Sequence, residues 1–144
     1  MTAVILTLIL LPIAALHIAW GFGYWWPIRD EAALTRAVLG NRGATEMPSA
    51  LACALVALAL ITAVWWIWFA LPVMGLGLWR VGLGLMAAAF VAREAISYVP
   101  ASYAPAFVKE PPEQPFDRLN RRYYSPLCLL VGAGFAIILL KGAL

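Results

Sequence analysis

A few side chains in this sequence could do chemistry, and they lie near the predicted ends of long apolar segments. His17 is the only histidine of the chain. Histidine is the side chain that most often exchanges a proton at physiological pH, so His17 could relay a proton or contact a ligand. Arg93 and Glu94 interrupt an apolar stretch, and an ionisable side chain inside a membrane segment is costly and indicates a function. The candidate ligand-binding residues are His17, Trp20, Arg93, Glu94, Tyr124 and Ser125.

The spacing of these residues on helices predicts which of them can meet. Trp20 follows His17 at i+3 and therefore shares its helix face. Arg93 and Glu94 are neighbours that point roughly 100° apart on an α-helix, so we expect each to pair with another segment. A structural interpretation stays open beside the functional one. His17 would then make one hydrogen bond between helices, and the Arg93–Glu94 pair would only tie its helix to the loops.

The sequence carries no recognisable catalytic, metal or cofactor motif. Cys53 and Cys128 lie in apolar stretches without the CxxC spacing of a metal or redox site. One histidine and two dispersed cysteines do not make a zinc ligand set. No serine has a matched base and orienting group in the sequence. We therefore predict no catalytic residue, no metal and no cofactor, and consider an enzyme less favoured than a binding protein.

Composition indicates which elements must position these residues. The chain has 144 residues, of which 65% are hydrophobic and 12% charged, and a soluble domain this small could not bury so much apolar surface. Four apolar stretches each approach or exceed the ~20 residues that cross a ~30 Å hydrocarbon core as a helix. We predict a single all-α domain, residues 1–144, folded as an integral membrane bundle of four transmembrane helices. The predicted helices are about 2–23, 48–71, 73–96 and 126–144.

Glycine, proline and serine mark the predicted helix boundaries. Pro72 predicts the tight turn between the second and third helices, and Ser125 with Pro126 predicts an N-cap followed by proline at the first helical position. Two glycine pairs with seven-residue spacing predict a tightly packed face at the start of the third helix. They are Gly75 with Gly82 and Gly77 with Gly84.

The two loops have different compositions and different predicted structures. The first loop, residues 24–47, contains a segment that begins with Asp30 and Glu31 and ends at Gly40, which favours a short helix lying on the membrane surface. The second loop, residues 97–125, is rich in proline and should be extended. Its last part, residues 116–124, is expected to form a helical turn leading into the fourth transmembrane helix.

The distribution of basic residues predicts the orientation in the membrane. With four crossings, both large loops lie on one side, and both termini lie on the other. The positive-inside rule places the basic loop side in the cytoplasm, and both termini then lie in the periplasm of a bacterial inner membrane. The loop side carries Arg29, Arg36, Arg42, Lys109, Arg118, Arg121 and Arg122, and the terminal side carries Arg80 and Lys141.

Three segments of the sequence carry a family resemblance. The first is Leu16–Gly23 (LHIAWGFG) with Trp26–Pro27, the second is Ala92–Glu94, and the third is Tyr124–Cys128 (YSPLC) after Phe116–Asp117. Together they resemble a bacterial membrane family, domain of unknown function 3995. The resemblance covers nearly the whole chain and implies four helices in one small domain. It implies no activity. The acidic residue of the second segment departs from what we expect of the family.

These observations favour a membrane protein that binds something at the cytoplasmic mouth of its bundle. Besides the lipid bilayer, the predicted partners are a small-molecule or lipid ligand, a partner membrane protein or further copies of the chain. The alternatives are an enzyme acting on a lipid or quinone-like substrate, with His17 and Glu94 as acid and base, and an oligomeric transporter of small solutes. The formal charge is only +3 and the basic residues form no stripe, so no nucleic acid is expected.

Overall fold

Helices are the only regular elements in the part of the chain that the structure describes. The computed structural model describes residues 1–40, 43–98 and 114–141. Three helical stretches are long and apolar enough to cross a membrane: Thr2–Gly21, Ala50–Ala95 and Phe116–Lys141. The all-α class is confirmed for the described residues, whereas most of the predicted extended loop, residues 99–113, lies outside them. The elements are α1 (Thr2–Gly21), α2 (Glu31–Val38), α3 (Ala50–Tyr98), α4 (Phe116–Leu119), a π turn (Asn120–Tyr124) and α5 (Ser125–Lys141).

The long element α3 is a helical hairpin whose two halves, residues 50–74 and 76–98, fold back on each other. Gly75 has φ 75° and ψ 167°, a conformation that glycine adopts without a Cβ clash. Trp66 and Trp79 form hydrogen bonds across the hairpin, although ~20 Å would separate them along a straight helix. The prediction of a turn at Pro72 was wrong. Proline's fixed φ suits a helix, and the reversal needs the positive φ of Gly75.

Helix α1 packs along the first half of α3, and α5 packs along the second half. The indole Nε1 of Trp68 donates to Thr7 Oγ1 at 2.9 Å, which joins α3 to α1. At the other end of α1, a Cβ on Gly21 would lie 3.4 Å from the Cβ of Cys53. The three packed segments enclose one apolar core. Its fully buried members include Leu6, Leu10, Ile67, Leu83 and Phe135.

The glycines of α3 differ in how closely other parts of the protein pack against them. Gly82 is buried against the indole of Trp66, which a Cβ at this position would overlap. No atom lies within 4 Å of a Cβ built on Gly75 or Gly77, and Gly84 makes only an ordinary contact. The predicted close-packed face is therefore confirmed at Gly82 alone. The reason is that Gly75 forms the turn and Gly77 follows it directly, before the two halves come together.

The predicted short helix of the first loop is present as α2. The carboxylate of Asp30 caps it by accepting a hydrogen bond from the Ala33 N–H at 2.7 Å. The helix ends at Val38, with Leu39 as its C-cap, rather than at Gly40. Leu34 and Ala37 are buried within the protein. Part of the apolar side of α2 is thus covered by the rest of the chain.

The entry into α5 differs from the predicted serine–proline N-cap. The backbone is helical from Phe116 through the π turn to Lys141. Ser125 has φ −60° and ψ −54°, which are helical angles and not those of an N-cap. The N-cap prediction was wrong because the predicted turn at residues 116–124 continues into α5 without a break. Pro126 is accommodated because the backbone widens to a π turn just before it.

Candidate binding site

The strongest polar cluster joins the end of α3 to the π turn. The guanidinium of Arg93 donates through Nη1 to Glu94 Oε2 at 3.1 Å and to Asn120 Oδ1 at 3.4 Å. Our prediction that Arg93 and Glu94 would not pair was therefore wrong. Their Cβ atoms diverge, but the long arginine side chain bends back to reach its neighbour's carboxylate.

Burial within this cluster is uneven. The Arg93 side chain is 43% exposed and that of Glu94 only 3%, and Asn120 is buried. Glu94 and Asn120 thus contact the guanidinium as buried acceptors, and the Arg93 side chain as a whole is partly exposed. Arginine has five N–H donors in a rigid planar fork that matches carboxylate and phosphate groups. Arg93 is therefore a positioned cation at the surface of the bundle.

Three buried polar atoms have no hydrogen-bond partner among the residues that the structure describes. They are Glu94 Oε1, Ser125 Oγ and Thr35 Oγ1. Unpaired buried polar atoms are rare in folded proteins, and leaving one unpaired costs about 1–3 kcal/mol. Of the predicted site residues, Glu94 and Ser125 thus carry unused hydrogen-bonding capacity.

Cys128 and Asn120 belong to the same region, although the sequence reasoning did not place them there. The Cys128 thiol lies near Arg93 and Glu94, whose charges act on it. Its spacing of three residues from Ser125 puts both on one face of α5, and that spacing could have indicated it. Asn120 gave no comparable signal, since its burial depends on how the π turn packs.

Tyr124 connects this region to α2. Its hydroxyl donates to the Ala37 backbone carbonyl at 3.2 Å. Ala37 lies in the last turn of α2, where helix carbonyls lack intrahelical partners. The Tyr124 ring also contacts that of Phe116, with centroids 6.0 Å apart. Tyr124 thereby positions α2 beside the cluster, a structural task that the sequence did not reveal.

His17 and Trp20 form a second group on α1. Their rings are in contact, with centroids 5.0 Å apart, as the i+3 spacing predicted. His17 Nδ1 lies 2.8 Å from the Ile13 carbonyl oxygen, so Nδ1 carries the proton, because a carbonyl only accepts. Trp20 Nε1 donates to the Trp26 carbonyl at 2.8 Å. Within the described residues, neither side chain has a hydrogen bond or ring contact with the Arg93 cluster.

The surroundings of Arg93 in the π turn and α4 are basic. Arg121 is paired with Asp117 at 3.0 Å, and the guanidinium of Arg122 lies over the Tyr123 ring, 5.4 Å from its centroid. Arg118 is exposed. In this region arginines outnumber carboxylates, which favours anionic groups near the surface of the bundle.

The described residues contain no group of three or more metal-ligating side chains. In a comparison with known proteins, residues 10–135 match the model of a family described as "Protein of unknown function (DUF3995)". No curated protein and no solved structure matches the chain. The resemblance stated from the three sequence segments is confirmed by this match.

Proposed function

The chain belongs to the DUF3995 family, and from this premise we propose that it is a four-crossing membrane protein that binds an anionic group at Arg93. The group would belong to a small molecule or a lipid. One observation carries the proposal. Arg93 is positioned by Glu94 and Asn120 and is nevertheless 43% exposed. A guanidinium fixed in this way loses little further freedom when it binds a carboxylate or phosphate.

The hairpin of α3 supports four crossings rather than three. Its apolar part, Ala50–Ala95, has 46 residues and would extend ~70 Å as a straight helix. That length is more than twice the ~30 Å hydrocarbon core. Because the chain reverses at Gly75, each half of α3 has the length of one crossing. With α1 and α5 the bundle then crosses four times.

The proposed orientation puts Arg93 at the cytoplasmic mouth of the bundle, in an inner membrane. Support comes from the basic residues of the two loops, which the positive-inside rule assigns to the cytoplasm. Single cysteines placed at Thr45 and Met74, in a chain whose Cys53 and Cys128 are replaced by alanine, test this arrangement. Thr45 should react with a membrane-impermeant thiol reagent only from the cytoplasmic side, and Met74 only from the opposite side. Labelling of both from one side would contradict four crossings.

Native mass spectrometry of the protein released gently from detergent tests ligand binding. The variants are Arg93→Gln and, as a matched control, Arg80→Gln, since Arg80 is an exposed arginine near the hairpin turn. Glutamine can still donate to Glu94, so the cluster should stay folded. We expect a discrete bound mass in the wild type and in Arg80→Gln, and its loss in Arg93→Gln. A bare wild-type protein, or a bound mass that survives Arg93→Gln, would refute the proposal.

The enzyme alternative requires His17 and Glu94 to reach one substrate. No contact between described residues joins their two groups, so no observation favours it over binding. Transport and association with a second membrane protein or further copies of the chain stay predictions. They too have no specific structural support.

A further inference from the structure

An apolar groove runs between the two halves of α3. Its volume is about 560 Å³, which is within the range of ligand pockets in proteins. Small side chains on both walls, including Ala59 and Ala89, leave this space. Larger side chains bound it, among them Leu55, Met86 and Phe90. On the first half of α3 the lining extends from Leu55 to Ala63, a distance of ~12 Å along the helix axis.

The groove leads toward Arg93. Met86, Ala89 and Phe90 line it, and they precede Arg93 by seven, four and three residues. Those are the spacings of one helix face, so Arg93 continues the stripe that forms one wall of the groove. Only ~5 Å of helix axis separate Phe90 from Arg93. A positioned cation and an apolar groove thus lie end to end on the second half of α3.

We propose that Arg93 and this groove together bind one anionic glycerophospholipid, with the phosphate on the guanidinium and an acyl chain between the halves of α3. This inference rests on the proposed function, because it identifies the ligand of the same site. Charge complementarity supports the headgroup end, where Arg118 and Arg122 add to the positive charge. The apolar lining supports the other end. A soluble anion would use only the cation and leave the groove without a role.

The groove lies in a segment apolar enough to cross a membrane, so a lipid chain can enter from the bilayer without crossing water. The phosphate then lies at the depth of Arg93, near the end of the crossing where basic residues meet anionic lipids. Glu94 and Asn120 are positioning residues in this arrangement, since they orient the guanidinium and do not contact the phosphate.

The test measures lipid retention by the full chain in native mass spectrometry, with phosphatidylglycerol and phosphatidylcholine added in equal amounts. Ala89→Phe fills the groove, and Ala88→Phe is its matched control, because Ala88 is exposed and absent from the lining. We expect selective retention of phosphatidylglycerol by the wild type and Ala88→Phe. Retention of phosphatidylglycerol should fall at least about fivefold in Arg93→Gln, which is the factor expected for one basic residue near an anionic surface. A similar fall is expected in Ala89→Phe, because its ring fills the groove.

Ala59→Phe, on the opposite wall, serves as a second groove-filling variant if Ala89→Phe does not fold. Equal retention of the two lipids would overturn the inference. So would equal retention by the groove-filling variants and Ala88→Phe. If the wild type is a dimer that dissociates when the groove is filled, the groove binds a second copy of the chain. That result would also overturn the inference. If sn-glycerol 3-phosphate binds as well as the lipid and depends on Arg93, the inference fails, but the proposed function stands.

Discussion

Trp66 and Trp79 exchange reciprocal hydrogen bonds across the α3 hairpin. The indole Nε1 of Trp66 donates to the Trp79 carbonyl at 3.0 Å, and the indole Nε1 of Trp79 donates to the Trp66 carbonyl at 3.1 Å. Both bonds join residues 13 positions apart. They fix which residues of the two halves face each other. The positions of the groove and of Arg93 depend on that register. The Trp66–Trp79 pair therefore supports the geometry of the site without being part of it.

Removal of the Trp79 indole should weaken the hairpin. In Trp79→Phe one of the two bonds is lost and a buried ring, 1% exposed in the wild type, becomes smaller. We expect the free energy of unfolding to fall by about 2 kcal/mol, measured by denaturant titration in detergent. Trp65→Phe is the control, because Trp65 is 38% exposed and its indole makes no hydrogen bond to the described residues. If Trp79→Phe and Trp65→Phe lose the same free energy of unfolding, the reciprocal hydrogen bonds do not fix the register of the hairpin.

Gly82 should tolerate no side chain, whereas Gly77 should. A Cβ on Gly82 would overlap the Trp66 indole, and that ring cannot move away without breaking its bond to Trp79. We expect Gly82→Ala to lower the free energy of unfolding by about 1–3 kcal/mol. Gly77→Ala should stay within about 0.5 kcal/mol of the wild type, since no atom lies near its Cβ position. Thermal unfolding of Gly82→Ala, Gly77→Ala and the wild type in the same detergent measures these differences in stability.

Hydrophobic length predicted the helices well, and local backbone signals predicted their ends less well. The first and last predicted helices agree closely with α1 and α5. The turn was assigned to Pro72, yet the chain reverses at Gly75, because the reversal needs a positive φ that glycine adopts and the proline ring excludes. Ser125 and Pro126 match the sequence pattern of a helix start. That pattern does not reveal that the helical turn predicted at residues 116–124 runs into α5 without a break.

The site shows what residue spacing can and cannot predict. The His17–Trp20 contact follows from i+3 geometry along one helix, and the structure contains it. Pairing between Arg93 and Glu94 depends on rotamers, which spacing does not determine. The contact of Arg93 with Asn120 joins segments 27 residues apart, and it depends on how α3 packs beside the π turn. Contacts of that kind are set by tertiary structure and leave no local sequence pattern.

Tyr124 should hold α2 against the bundle through its hydroxyl. Tyr124→Phe removes the bond to the Ala37 carbonyl and keeps the ring that contacts Phe116. The loss of about 1 kcal/mol expected for one hydrogen bond should raise amide hydrogen exchange in α2 roughly fivefold, as measured by mass spectrometry. Tyr123→Phe is the matched control, since the Tyr123 side chain is exposed. If exchange in α2 stays unchanged in Tyr124→Phe, this bond does not secure the helix.

Two serine-to-alanine substitutions should change stability in opposite directions. Ser125 is 1% exposed, and its Oγ has no hydrogen-bond partner in the described part of the chain. Ser125→Ala therefore removes an unpaired buried hydroxyl, and we expect the free energy of unfolding to rise by about 1 kcal/mol. Ser49 instead caps α3, because its Oγ accepts a hydrogen bond from the Ala52 N–H at 3.2 Å. Ser49→Ala should therefore lower the free energy of unfolding by about 1 kcal/mol. Denaturant titration of both variants measures the two changes. A loss of stability in Ser125→Ala would mean that this hydroxyl is hydrogen-bonded in the folded protein, and Ser125 would then be a structural residue of α5.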